Sequence, residues 1–166
     1  MVAYKVPEHV SLILQNTYDH IVGRSLPVAN LHISLTFPFF LKDTHDEGWL
    51  KNRVNDLLMK SIDAWTTIVD VYSQKNKLLY VQVEPVDRFR KNNTNLSTIL
   101  RQGTVFDVSP YINNELPTYS SHISLDYDFD ENELVLHSLR KEIVELQFNT
   151  GEPTVVRFDE NLFEEI

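Results

Sequence analysis

The words HISLTFPF at 32 and HISLDYDF at 122 share His, Ile, Ser, Leu and a closing Phe, and set Phe37 against Tyr127. In an extended strand successive side chains point to opposite faces, so residues two apart share a face. Over 31–39 this puts Leu31, Ile33, Leu35, Phe37 and Phe39 on one side and His32, Ser34 and Thr36 on the other. Over 122–129 it turns Ile123, Leu125, Tyr127 and Phe129 inward and leaves His122, Ser124, Asp126 and Asp128 opposite. An apolar row of that kind has to be buried. Each word therefore specifies a half-buried strand that presents an imidazole beside a hydroxyl, away from the core.

A third word, HVSL at 9, lacks the aromatic continuation and lies 23 residues before the word at 32, too close to head a half of its own. The stretch KVPEHVSLILQ alternates apolar and other residues and reads as a strand, with His9 and Ser11 in a structural role. The two longer words lie 90 residues apart, enough for each to belong to its own half of a pseudo-symmetric domain.

The 166 residues suit one domain, and the stretches between the words mix strand and helix patterns without a linker. Trp49, Leu50, Val54, Leu57 and Leu58 recur at helical spacing within 46–62. AWTTIVDVYS and LLYVQVEPV flank the polar turn QKNK as a hairpin would. Residues 87–100 read as a helix weakened by KNNTN, 131–146 as an amphipathic helix, and TGEPTVVRF as a turn and closing strand. The pattern predicts an α+β domain in which antiparallel strands and flanking helices are intermixed.

Composition removes several chemistries. The chain has no cysteine, which excludes disulfides, thiolate nucleophiles and cysteine-bound zinc. Its net charge of −9 argues against a broad grip on a nucleic-acid backbone, though a local phosphate site needs no such charge. No apolar run approaches the roughly 20 residues of a membrane helix. The N-terminal residues lack a secretory pattern, and an intracellular protein is the expectation.

Two His-x-Ser pairs facing one cleft suit phosphate chemistry. An imidazole titrates at about 6.5, so one can take a proton while the other gives one. Two serine hydroxyls can hold the nonbridging oxygens between them. His20, His45 and His137 lack a hydroxyl two residues on in a strand and are expected at the surface. Asp126 is expected either to tune His122 or to be solvated. Two histidines so far apart, with no carboxylate pair near them, are not a recognisable metal set, and no cofactor is expected.

Two His-x-Ser words on strands most of a domain apart resemble the 2H phosphoesterases, whose fold is two α+β lobes about a pseudo-twofold axis and a central cleft. EHVSLIL, LHISLTFPF, VYSQKNKLLYVQVEP and SSHISLDYDF are most similar to the U6 small nuclear RNA 3′-end phosphodiesterases. The resemblance implies a nuclear, monomeric, metal-independent 3′–5′ exoribonuclease that trims uridine-rich RNA ends and leaves a 2′,3′-cyclic phosphate or its opened 3′-phosphate. It assigns catalysis to His32 and His122, phosphate binding to Ser34 and Ser124, and base stacking to a tyrosine before the second word, Tyr119 in preference to Tyr111. It also implies that the His-Val word at 9 is not catalytic. The hairpin departs from the family, which carries an Asn beside the Tyr of VYSQ. A cyclic-nucleotide phosphodiesterase and a catalytically inactive RNA-end binding module are the alternatives.

Overall fold

The computed structural model describes residues 1–28, 30–36, 39–41, 46–72, 77–102, 106–107, 119–130, 132–143, 145–159 and 162–165. Along these the order is β1 (Val2–Lys5), α1 (Glu8–Val22), β2 (His32–Ser34), β3 (Phe40–Leu41), α2 (Asp46–Leu57), β4 (Asp63–Tyr72), β5 (Leu78–Glu84), α3 (Val86–Gln102), β6 (Phe106–Asp107), β7 (His122–Asp126), α4 (Glu133–Glu142), β8 (Gln147–Asn149), β9 (Pro153–Asp159) and β10 (Leu162–Glu165). The fold is α+β. Its main sheet runs β10-β9-β1-β2-β7-β5-β4-β8, with every pairing antiparallel, and β3 pairs with β6 separately.

The HVSL word is helical, a correction to its expected strand. Pro7 ends β1 and precedes the first helical residue, where its missing N–H costs no hydrogen bond. Val10, Leu14 and Tyr18 then fall four residues apart and are buried, while Leu12, which completed the apparent alternation, and its neighbour Ile13 are exposed. Gly23 closes the helix at φ 77°, its N–H donating to Asp19 O at 3.0 Å. His9 is exposed on α1.

The other expected helices and the β4/β5 hairpin form near their anticipated bounds. All four helices join one core with the inward sheet residues, through Leu14 of α1, Val54 of α2, Phe89 of α3 and Leu139 of α4 among others. The asparagines of α3, poor helix formers, find partners outside the helix. Asn92 donates to Tyr4 Oη and accepts from Met59 N, and Asn93 donates to Leu35 O at 2.6 Å. Tertiary hydrogen bonds thus offset what propensity disfavours.

Alternation holds through β2 and most of β7 and then breaks. Leu31, Ile33, Leu35, Ile123 and Leu125 are buried, and Phe37 lies outside the described residues. The β5–β7 register shifts between Leu79 and Tyr80, so that Asp126 stands opposite Leu79, a core residue. The bulge sends Asp126 to the helix side and leaves Tyr127, expected inside, 52% exposed. Asp126 neither reaches His122 nor is solvated. Its carboxylate accepts from Tyr18 Oη and Arg24 Nη2, both at 2.5 Å, and from Asp128 N at 3.0 Å.

Asp126→Ala strips the buried Tyr18 hydroxyl of its acceptor and Arg24 of its counter-charge. It should cost about 1–3 kcal/mol in urea unfolding at unchanged m-value, with Asp126→Asn losing less. A change within error would show that the Tyr18–Asp126–Arg24 cluster does not tie α1 to β7.

Candidate active site

The two words meet at the centre of the sheet. β2 and β7 are antiparallel neighbours with Ile33 opposite Ile123, both fully buried. One step along this register in either direction sets His32 opposite Ser124 and Ser34 opposite His122. All four side chains leave the face opposite the core, and all are half-buried. Each imidazole thus faces the serine of the other word. The two imidazoles stand on a diagonal, a spacing of roughly 7–8 Å between strands. Their proximity contributes to the depression of the His32 pKa.

Both rings are held in the same way. His32 Nδ1 lies 2.8 Å from Asn30 O, and His122 Nδ1 lies 3.0 Å from Ser120 O. A carbonyl only accepts, so Nδ1 carries the proton in each case, and Nε2 is the nitrogen that bears the lone pair of the neutral ring. The matching arrangement arises because each carbonyl lies two residues before its histidine. His122 is further fixed by Tyr80, whose ring meets it edge to face at 5.5 Å and 67°.

Burial lowers both imidazole pKa values from the ordinary 6.5. For His32 the Asn30 carbonyl opposes this and His122 adds to it; for His122 the Ser120 carbonyl opposes it. Without an anion, the protein favours two neutral rings. A bound phosphate supplies the negative charge that stabilises an imidazolium, so ligand binding and protonation of one histidine reinforce each other.

Ser34 Oγ donates to Met1 Sδ at 3.6 Å, a weak acceptor that a phosphoryl oxygen readily replaces. Among the described residues the Ser124 hydroxyl has no hydrogen-bond partner. Tyr119 packs its ring against the core, and its hydroxyl donates to Ser34 O at 3.0 Å, which anchors β2. Burial, with Tyr4 second, raises its phenol above the ordinary value, so it remains a neutral donor. Tyr111 and His45 lie outside the described residues, and His20 and His137 are exposed on helices.

Three more side chains on the motif face were not anticipated. Lys5 stands opposite His32 across β1, Tyr80 opposite Ser124 and Gln82 opposite His122 across β5. The pattern LLYVQVE did signal that Tyr80 and Gln82 leave the core together, since Leu79, Val81 and Val83 are buried. Which sheet neighbours they acquire follows only from the β5–β7 pairing. Among the described residues no three His, Asp or Glu side chains are placed to hold a metal ion.

No protein-family model matches the chain, and no curated protein matches it.

The lowered histidine pKa values give stability a definite pH slope. An unfolded chain protonates its histidines as pH falls through 6.5, before the folded protein does, so folding stability drops between 6.5 and the lowered folded values and is retained above 6.5. In urea unfolding from pH 7.5 to 5, the His32→Gln/His122→Gln double variant should lose less stability than the parent. An equal or steeper loss would place the imidazoles in a more solvated setting.

Proposed function

We propose that the protein is a 2H-type RNA phosphodiesterase acting, without a metal, on the 3′ end of single-stranded, uridine-rich RNA. By its resemblance the substrate is U6 small nuclear RNA and the compartment the nucleus. The observation that carries this is the β2–β7 register, which sets two carbonyl-anchored imidazoles diagonally, each opposite the other word's serine. Further support comes from the strand order. The junction between β2 and β7 divides the main sheet into β10-β9-β1-β2 and β7-β5-β4-β8, four strands each, an even division that accords with two joined lobes.

In the proposed reaction one neutral imidazole takes the proton from the ribose 2′-hydroxyl through Nε2. The 2′-oxygen bonds to phosphorus, and the bond to the 5′-oxygen of the terminal nucleotide breaks. The other histidine, as imidazolium, gives its proton to that leaving oxygen. Ser34 and Ser124 donate to the nonbridging oxygens where charge accumulates. The products are a shortened RNA with a 2′,3′-cyclic phosphate and a released nucleoside-type fragment with a free 5′-hydroxyl. Diagonal placement suits this geometry, since attacking and leaving oxygens lie on opposite sides of phosphorus.

The net charge of −9 favours a second reading, a phosphodiesterase for a small cyclic nucleotide with little backbone to grip. Comparing turnover of an oligouridylate with that of uridine 2′,3′-cyclic phosphate separates the two.

His32→Ala and His122→Ala should each lower kcat by about 100-fold or more, while His9→Ala leaves it unchanged and excess chelator has no effect. Full activity in both motif variants would sink the assignment. The pH profile of kcat/KM should be bell-shaped with its optimum on the acid side of 6.5, because both free-enzyme values are lowered. The optimum of kcat should lie at higher pH, because bound phosphate raises the imidazolium pKa. An optimum of kcat/KM well above neutrality would contradict the two-histidine mechanism.

A further inference from the structure

The motif face continues past the histidines onto β5 and β4. Leu79 and Val81 point into the core, so Leu78, Tyr80 and Gln82 point out on the side of His122. Tyr80 stands opposite Asp70 and Leu78 opposite Tyr72, which brings Tyr72 onto the same face. Tyr72 and Tyr80 are diagonal neighbours, roughly 7–8 Å apart on an antiparallel pair. Tyr80 in turn touches His122 edge to face. His122, Tyr80 and Tyr72 therefore form one diagonal line leading away from the site, and each step displaces it two residues in the same direction.

Tyr72 is 53% exposed, which leaves its ring accessible to a ligand. A line of tyrosines that starts at a phosphate site suits a nucleic-acid single strand, whose bases stack on aromatic faces whatever their sequence. The carboxylate beside this path is compensated by an ion pair. Asp70, opposite Tyr80, is paired with Arg140 at 2.8 Å. Another exposed aromatic of this face, Trp65, is 40% exposed and stands opposite Glu84, whose carboxylate would repel a phosphate chain.

We propose that Tyr80 stacks the base of the nucleotide at the scissile phosphate and that Tyr72 stacks the base of the next nucleotide, which makes the protein selective for an oligonucleotide over a mononucleotide. The proposal rests on the phosphodiesterase reading of the site for its phosphate end and deepens it by defining the substrate class. It also explains how an acidic protein holds RNA. Stacking supplies affinity that phosphate neutralisation does not, so binding should depend only weakly on salt.

The test uses fluorescein-labelled 2′-O-methyl uridylates one to five nucleotides long, which lack the attacking hydroxyl, in binding measurements. Unmodified uridylates and uridine 2′,3′-cyclic phosphate serve for turnover. The parent should gain about tenfold in affinity on lengthening from one nucleotide to two or three, and little beyond. Tyr72→Ala should remove that gain while leaving mononucleotide binding unchanged. Tyr80→Ala should weaken every length, Tyr80→Phe should restore it, and Trp65→Ala should have no effect. Tyr72 lies at the surface, so its variant folds. Length-dependent binding that survives Tyr72→Ala, or that is lost in Trp65→Ala instead, overturns the track. Length-dependent binding without turnover keeps the track and overturns the phosphodiesterase reading. Turnover without length dependence does the reverse, and absence of both overturns both.

Discussion

The pairing of β2 with β7 is the constraint on which the rest depends. Ile33 and Ile123 meet in the core, and by the alternation of a pleated strand that contact throws four polar side chains to the other face. A shift of one residue would reverse every side chain. Burial of the isoleucines thus fixes the position of the histidines, and the apolar side of each word sets the chemistry of the other. Because β2 has only three residues, its register relies on flanking ties. β1 pairs along its whole length, and the Tyr119 hydroxyl holds the Ser34 carbonyl.

The same strands show why alternation is a local rule. β7 obeys it from His122 to Ser124, and the register shift at Leu79/Tyr80 then reassigns Asp126 to the helix side. There a buried carboxylate serves as a cross-link, taking hydrogen bonds from α1 through Tyr18 and from Arg24 just beyond it. The bulge ends the motif face and starts the core attachment within two residues. It also keeps an anionic group away from His122, whose lowered pKa reflects burial.

Histidine orientation has a similar economy. Each imidazole is anchored by a carbonyl from its own chain segment two residues earlier, so the proton sits on Nδ1 and the lone pair of the neutral ring on Nε2. A carboxylate in that position would raise the imidazole pKa. A neutral carbonyl fixes the tautomer with a smaller upward pull, which burial outweighs.

The sequence by itself determined which residues sit on the motif face of each word, because strand alternation is set by backbone geometry alone. It also carried the α+β class, the β4/β5 hairpin and three of the four helices, whose apolar spacing or turn residues are local. HVSL misled because Val10, Leu12 and Leu14 satisfy a period of two as well as part of a helical repeat. Tyr18, one more helical turn on, is what identifies the buried stripe. Only the tertiary structure decided that the two words are adjacent, that each histidine faces the other's serine, and that Lys5, Tyr80 and Tyr72 share their face. Those relations depend on pairing between strands far apart in the chain. Such pairing is selected by the sum of core contacts and backbone hydrogen bonds across the whole sheet, which no short stretch of sequence encodes.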